Sequence, residues 1–264
     1  MALVAVSAAD LVRTQDLPAW SAQHGAFAFP DETGARLLST AAISDPAALR
    51  TALCSGGRRL VVQFDRRQAQ SSSSTQRQAP HNFANTAGAI FRIAGGPVDP
   101  DATCFLAADS FVAGATVVPL ERAAENSRCS RELYPQFESA RGRPVVACWP
   151  IASSGHGVHA LLIEFARRLR YALASLVVVD EARRIYVDYP ADFTGPGADL
   201  WRVDDGGEIH PDEFDIVFLL KSGPAYFMAV SWSAAEGHSL SLFKADNSIE
   251  FKEIVKDSWY RAPL

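Results

Sequence analysis

At 264 residues and 48% hydrophobic content, the chain is long enough to bury an ordinary core, as one large domain or two smaller ones. Its 25 basic and 30 acidic side chains leave a formal charge of -5, which argues against a broadly electropositive surface and makes nucleic acid an unlikely partner. No uninterrupted apolar stretch reaches the roughly 20 residues that a membrane-crossing helix needs, so no transmembrane segment is expected.

The opening run, Met1 to Ala9, resembles the tail of a secretory signal but lacks a charged start and a full apolar segment. A loose N-terminus or a first strand is the preferred reading. Ser44, Asp45 and Pro46 supply a cap and an early proline for a short helix, and Gly56 and Gly57 end it before a strand around Leu60 to Phe64. Residues 66–80 then turn to Gln, Arg and four consecutive serines, with little apolar surface to offset the entropy of ordering them. The expected division is an N-terminal helical and strand segment at 1–65, a mobile loop or linker at 66–80, and a main α+β domain at 81–264.

Strands are expected at 89–93, 104–106, 115–120 and 145–149, separated by turns rich in Gly, Pro and Asp. In the next segment Leu161, Leu162, Phe165, Leu169, Ala172 and Leu173 recur at helical spacing, and Ser153 or Ser154 stands ready to cap the start. This predicts an amphipathic helix over 156–173 with Leu169 buried, although Ile163 breaks the pattern. Arg167, Arg168 and Arg170 would form its solvent side.

Two strands follow at 176–179 and 185–189, joined by a tight turn, and then a stretch rich in Gly and Asp at 192–213. Strands at 215–221, 226–232, 238–244 and 249–255, with short connections, predict an antiparallel meander. The expected fold class is therefore α+β, an extensive antiparallel sheet packed by one amphipathic helix.

No GxGxxG, GxxxxGK[ST] or GxSxG pattern is present, which removes the usual sequence routes to a nucleotide enzyme or an α/β-hydrolase. Cys54, Cys104, Cys129 and Cys148 permit three complete pairings and have neither zinc-ribbon nor CxxC spacing. Reduced, buried thiols are preferred over disulfides, and a cytoplasmic location over a secreted or periplasmic one. Two constellations suggest chemistry. Cys148 could act as a thiol nucleophile with His156 or His238 as its base, and the carboxylates of Asp180, Asp188, Asp192, Asp204, Asp205 and Asp215 could converge on one opening. His156 and His159 do not have a metal-site spacing, so neither a metal nor a cofactor is expected.

Tyr186, Tyr226 and Trp232, in the C-terminal strands, are the candidate ligand-binding residues, because aromatic rings bury apolar area while their polar atoms orient a bound group. The reading that follows is a non-catalytic binding or protein-interaction protein with a small molecule or a protein as partner. The alternative is a hydrolase with a cysteine/histidine or carboxylate-containing cleft, so the sequence leaves enzymatic status open.

Overall fold

The computed structural model describes residues 25–181, 183–192, 201 and 209–261. The expectations for Met1 to Ala9, for the carboxylates Asp204 and Asp205, and for most of the 192–213 stretch lie outside the described residues.

The chain first builds a closed six-stranded antiparallel barrel from β1 (Gly25–Pro30), β2 (Arg36–Ser39), β3 (Leu49–Cys54), β4 (Arg58–Gln68), β5 (Gly88–Ala94) and β6 (Cys104–Ala108). Around the ring the order is β1-β2-β5-β4-β3-β6, and β6 closes it by pairing with β1, Gly25 lying opposite Ala107. Asp45 accepts a hydrogen bond from the Ala47 amide at 3.1 Å and caps a single 3-10 turn, Pro46–Ala48, so the helix signal before β3 is realised in three residues. Residues 66–68 complete β4, and 69–87 connect it to β5, its neighbour in the barrel. Polar groups hold this connection. Gln68 donates to the Phe83 and Thr86 carbonyls at 2.7 and 2.8 Å, and Asn82 donates to the Arg77 carbonyl at 2.8 Å.

The remaining strands form two five-stranded sheets. A central sheet has the order β16-β15-β14-β13-β7, from β7 (Thr116–Val118), β13 (Phe214–Ser222), β14 (Ala225–Ser233), β15 (Gly237–Ala245) and β16 (Lys252–Tyr260). An outer sheet has the order β12-β11-β10-β9-β8, from β8 (Glu121–Arg122), β9 (Val145–Ser153), β10 (Val158–Arg168), β11 (Tyr171–Asp180) and β12 (Arg183–Asp192).

The layers stack as barrel, central sheet, outer sheet. Phe27, Phe29 and Phe105 of the barrel pack with Ala229, Leu240 and Trp259 of the central sheet. On the other face of that sheet, Phe214, Met228 and Val230 meet Leu162, Leu176 and Ile185 of the outer sheet. Both faces of the central sheet are thus covered, which explains why β13 and β14 read as near-continuous apolar runs rather than alternating ones.

The outer sheet is covered on its far face by the helix Tyr134–Arg141, whose Phe137 is fully buried against Cys148, Ile163 and Phe165. Ser130 accepts from the Glu132 amide at 3.4 Å, Pro135 sits in the first turn where its missing amide costs nothing, and Gly142 ends the helix in the left-handed region at φ 62.

The α+β expectation is overturned: the fold is predominantly β, and the predicted helix at 156–173 is the hairpin β10–β11. Leu161, Ile163 and Phe165 point to the helix-covered face, while Ala160 and Leu162 point to the central sheet. A strand buried on both sides has no period-two signature, and its run of large residues imitates a helical stripe. Ile163, the residue that broke the helical pattern, is fully buried in this arrangement. Leu169 belongs to no core; it is 96% exposed at the hairpin tip. The capping signal was real but serves a turn: Ser154 Oγ accepts from the amides of His156 and Val158 at 3.2 and 3.1 Å and shapes the β9–β10 connection.

Candidate functional site

All four cysteines are paired, Cys54 with Cys104 and Cys129 with Cys148. The first bond joins registered neighbours on β3 and β6 within the barrel core. The second fixes the connection after β8 to β9, where the Cys129 amide also donates to the Cys148 carbonyl at 3.1 Å. In this oxidised state Cys148 has no thiol to act as a nucleophile.

The fold does not bring Cys148, His156 and His238 together. Cys148 lies under the helix on the far face of the outer sheet, and His156 is exposed in the β9–β10 turn. His238 is on the barrel-facing side of the central sheet, where its Nδ1 is 2.9 Å from Ser231 Oγ and 3.3 Å from Ser233 Oγ. It lines a cleft of about 450 Å³ with Gln78 and Trp259, but Ser231 is only 2% exposed, so a substrate could not reach its hydroxyl.

The described aspartates are dispersed too. Asp188 accepts from Ser175 Oγ at 2.5 Å and Arg141 Nε at 3.1 Å, and Asp215 accepts from Ser55 Oγ at 2.8 Å. Among the described residues, no group of three or more His, Cys, Asp or Glu side chains is placed to hold a metal ion.

The three aromatic candidates occupy three separate places. Tyr186 is buried on the far face of the outer sheet with the Arg141 guanidinium 3.9 Å from its ring centre, and its hydroxyl has no hydrogen-bond partner among the described residues. Burial pushes its phenol above the ordinary tyrosine range, with Arg141 and Arg184 opposing the shift. Tyr226 joins the two sheets: its hydroxyl donates to Asp180, which also accepts from Lys221 Nζ at 2.9 Å. The Tyr226 and Lys221 hydrogen bonds hold the Asp180 carboxyl below its usual value, while burial and the bond to Asp180 raise Tyr226. Trp232 stacks on Phe214 with ring centres 5.2 Å apart, and Tyr189 meets both edge-on.

A cleft of about 490 Å³ opens at the edge of the outer sheet, and Trp232 reaches its wall through Glu213. The Trp232 indole donates to Glu213 Oε2 at 3.1 Å, and the same carboxylate accepts the His210 amide at 3.3 Å. This fixes His210, Pro211 and Asp212 as one wall. Trp149, Pro150 and Ile151 of β9 line the cleft as well, Trp149 half-buried against the core between the sheets. The opposite wall is the connection 122–128, held by the Cys129–Cys148 bond and by the Ala123 amide donating to the Ile151 carbonyl at 2.9 Å. No family model matches the chain, and no curated protein or solved structure matches it.

Arg122 and Arg128 give the cleft its chemistry. Arg128 lies over the indole of Trp149, 4.6 Å from the ring centre, and Arg122 spans the walls by donating to the Asp212 carbonyl at 3.2 Å. Arg122 also borders a neighbouring cleft of about 370 Å³ between the barrel and the central sheet, lined by Arg58, Asp99, Asp101 and Asp215. The arrangement offers a flat ring, guanidinium donors and a histidine around one opening, a combination suited to holding a polar ligand with a planar or apolar face. Arg122, Arg128, Trp149 and His210 were not singled out from the sequence. The Cys129–Cys148 pairing was the missing signal, because it sets Arg128 and Trp149, the next residues along, beside each other.

Proposed function

We propose that this protein is a non-catalytic binding protein and that its ligand is a small polar molecule with a flat or apolar face, held between Trp149, Arg128 and His210. The observation that carries this reading is the half-buried Trp149 indole lining the 490 Å³ cleft beside a stacked guanidinium. A fixed aromatic surface with a few convergent polar groups is the usual make-up of a ligand pocket. The two disulfides support an oxidising compartment as its working place, in preference to the cytoplasmic expectation.

A thermal-shift screen of sugars, amino acids, nucleotides and short peptides tests the reading, followed by titrations of tryptophan fluorescence on Arg128→Ala and Trp149→Phe. Arg128→Ala is expected to keep the fold and to weaken the best ligand about tenfold, the loss of one guanidinium that the bound ligand would cover. Wild-type affinity in a folded Arg128→Ala variant would move binding away from this cleft. Ester or amide turnover that survives Arg128→Ala and disappears on His238→Ala would replace binding with hydrolysis.

A further inference from the structure

The two-residue turn at the tip of the β10–β11 hairpin needs a positive φ at its first position, and the sequence places a leucine there. Arg168 and Tyr171 face each other across a two-residue turn, and Leu169 at its first position has φ 52, in the left-handed region. That conformation favours Gly or Asn and strains a branched aliphatic residue. The side chain is 96% exposed, so no packing offsets the strain. Tyr171, which closes the turn, is 43% exposed.

The tip is also the reverse of the chain in charge. Residues 142–146, 166–171 and 191–192 contain Arg143, Arg167, Arg168 and Arg170 against Asp192, four positive charges to one negative, whereas the whole chain carries -5. Three of these arginines have uncharged hydrogen-bond partners. Arg143 donates to the Tyr171 carbonyl at 3.3 Å, Arg168 to the Gly142 carbonyl, and Arg170 to the Tyr171 hydroxyl at 3.1 Å. These three bonds brace the tip without adding a negative partner, and Asp192 is the carboxylate that acts on Arg170.

We infer that this hairpin tip docks on an anionic phospholipid surface, with Leu169 entering the acyl boundary and the arginines at the headgroups. The surface is convex, one apolar point flanked by cations, which suits a soft interface that can admit a protruding side chain. A protein partner would instead have to supply a groove. The contact is peripheral and rests on a hairpin, independent of the cleft at Trp149.

Flotation with vesicles of phosphatidylcholine alone, and of phosphatidylcholine mixed with phosphatidylglycerol, tests the inference on the intact protein. Binding is expected to the mixed vesicles only and to fall with salt. Leu169→Asn, which suits the left-handed turn, is expected to keep or raise the melting temperature while lowering partition about tenfold. Arg170→Gln is expected to lower it about fivefold. No partition onto the anionic vesicles at low salt would overturn the inference. So would equal partition of wild type and a folded Leu169→Asn variant, or retention on heparin without vesicle binding, which would assign the tip to a soluble polyanion.

Discussion

Leu162 and Leu169 show how much a single residue's setting decides. They are seven positions apart and both sat on the stripe of the helix expected from the sequence, yet Leu162 is fully buried between the sheets and Leu169 is almost fully exposed. Leu162→Ala should cost about 2 to 5 kcal/mol by lost transfer energy and cavity formation. Leu169→Ala should stay within about 0.5 kcal/mol. Urea titration of the two variants checks this, and comparable losses would contradict the difference in burial between the two leucines.

Asp257 makes a different residue-scale prediction. Burial pushes its carboxyl above the ordinary aspartate value, opposed by the Ser258 amide, which donates to Oδ1 at 2.8 Å. The folded state therefore holds the proton more tightly than the unfolded chain. The stability this gives is full below the unfolded value, about pH 4, and is lost as pH rises through the folded one. Asp257→Asn should consequently be more stable than wild type at neutral pH, and the gain should vanish below about pH 4. Melting curves across that range would expose the opposite sign at once.

At the scale of elements, the hairpins of the central sheet were legible because their strands are separated by turn chemistry such as Ser222, Gly223 and Pro224, and the apolar runs between those turns place β13, β14 and β15 correctly. The strand at 176–179 and its partner at 185–189 were legible as parts of β11 and β12, but β10 and the start of β11 were not, since burial on both faces removed the alternation that identifies a strand. The candidate cleft was hidden for a separate reason: its walls are 122–128, 149–151 and 210–212, and only a disulfide and strand pairing unite them. That disulfide closes a separation of 19 residues and should contribute about 3 kcal/mol by restricting the unfolded chain. Cys129→Ala/Cys148→Ala should lose that stability and should also change the fluorescence of Trp149, which the bonded connection flanks. An oxidised wild type no more stable than the double variant would show that the bond does not constrain the chain.

Across the whole molecule, long-range pairing decides what local patterns leave open. The barrel closes only when β6 finds both β1 and β3, and neither contact leaves a periodic trace in the sequence. The central sheet contributes to two cores at once, which makes it the layer on which the other two depend. The closure has an architectural consequence. Gly25 lies opposite Ala107, so the first and last barrel strands meet, and among the described residues every barrel strand falls within 25–108 while every strand of the two sheets follows it. Among the described residues the barrel is thus a cassette, contiguous in sequence, that could be exchanged or permuted without cutting a strand of either sheet, with loss of the Ser55–Asp215 hydrogen bond and of those joining Gln78 to Tyr260 and Arg261. What limits such modularity is the apolar face of Phe27, Phe29 and Phe105: any replacement must present a matching face to the central sheet or leave that sheet uncovered.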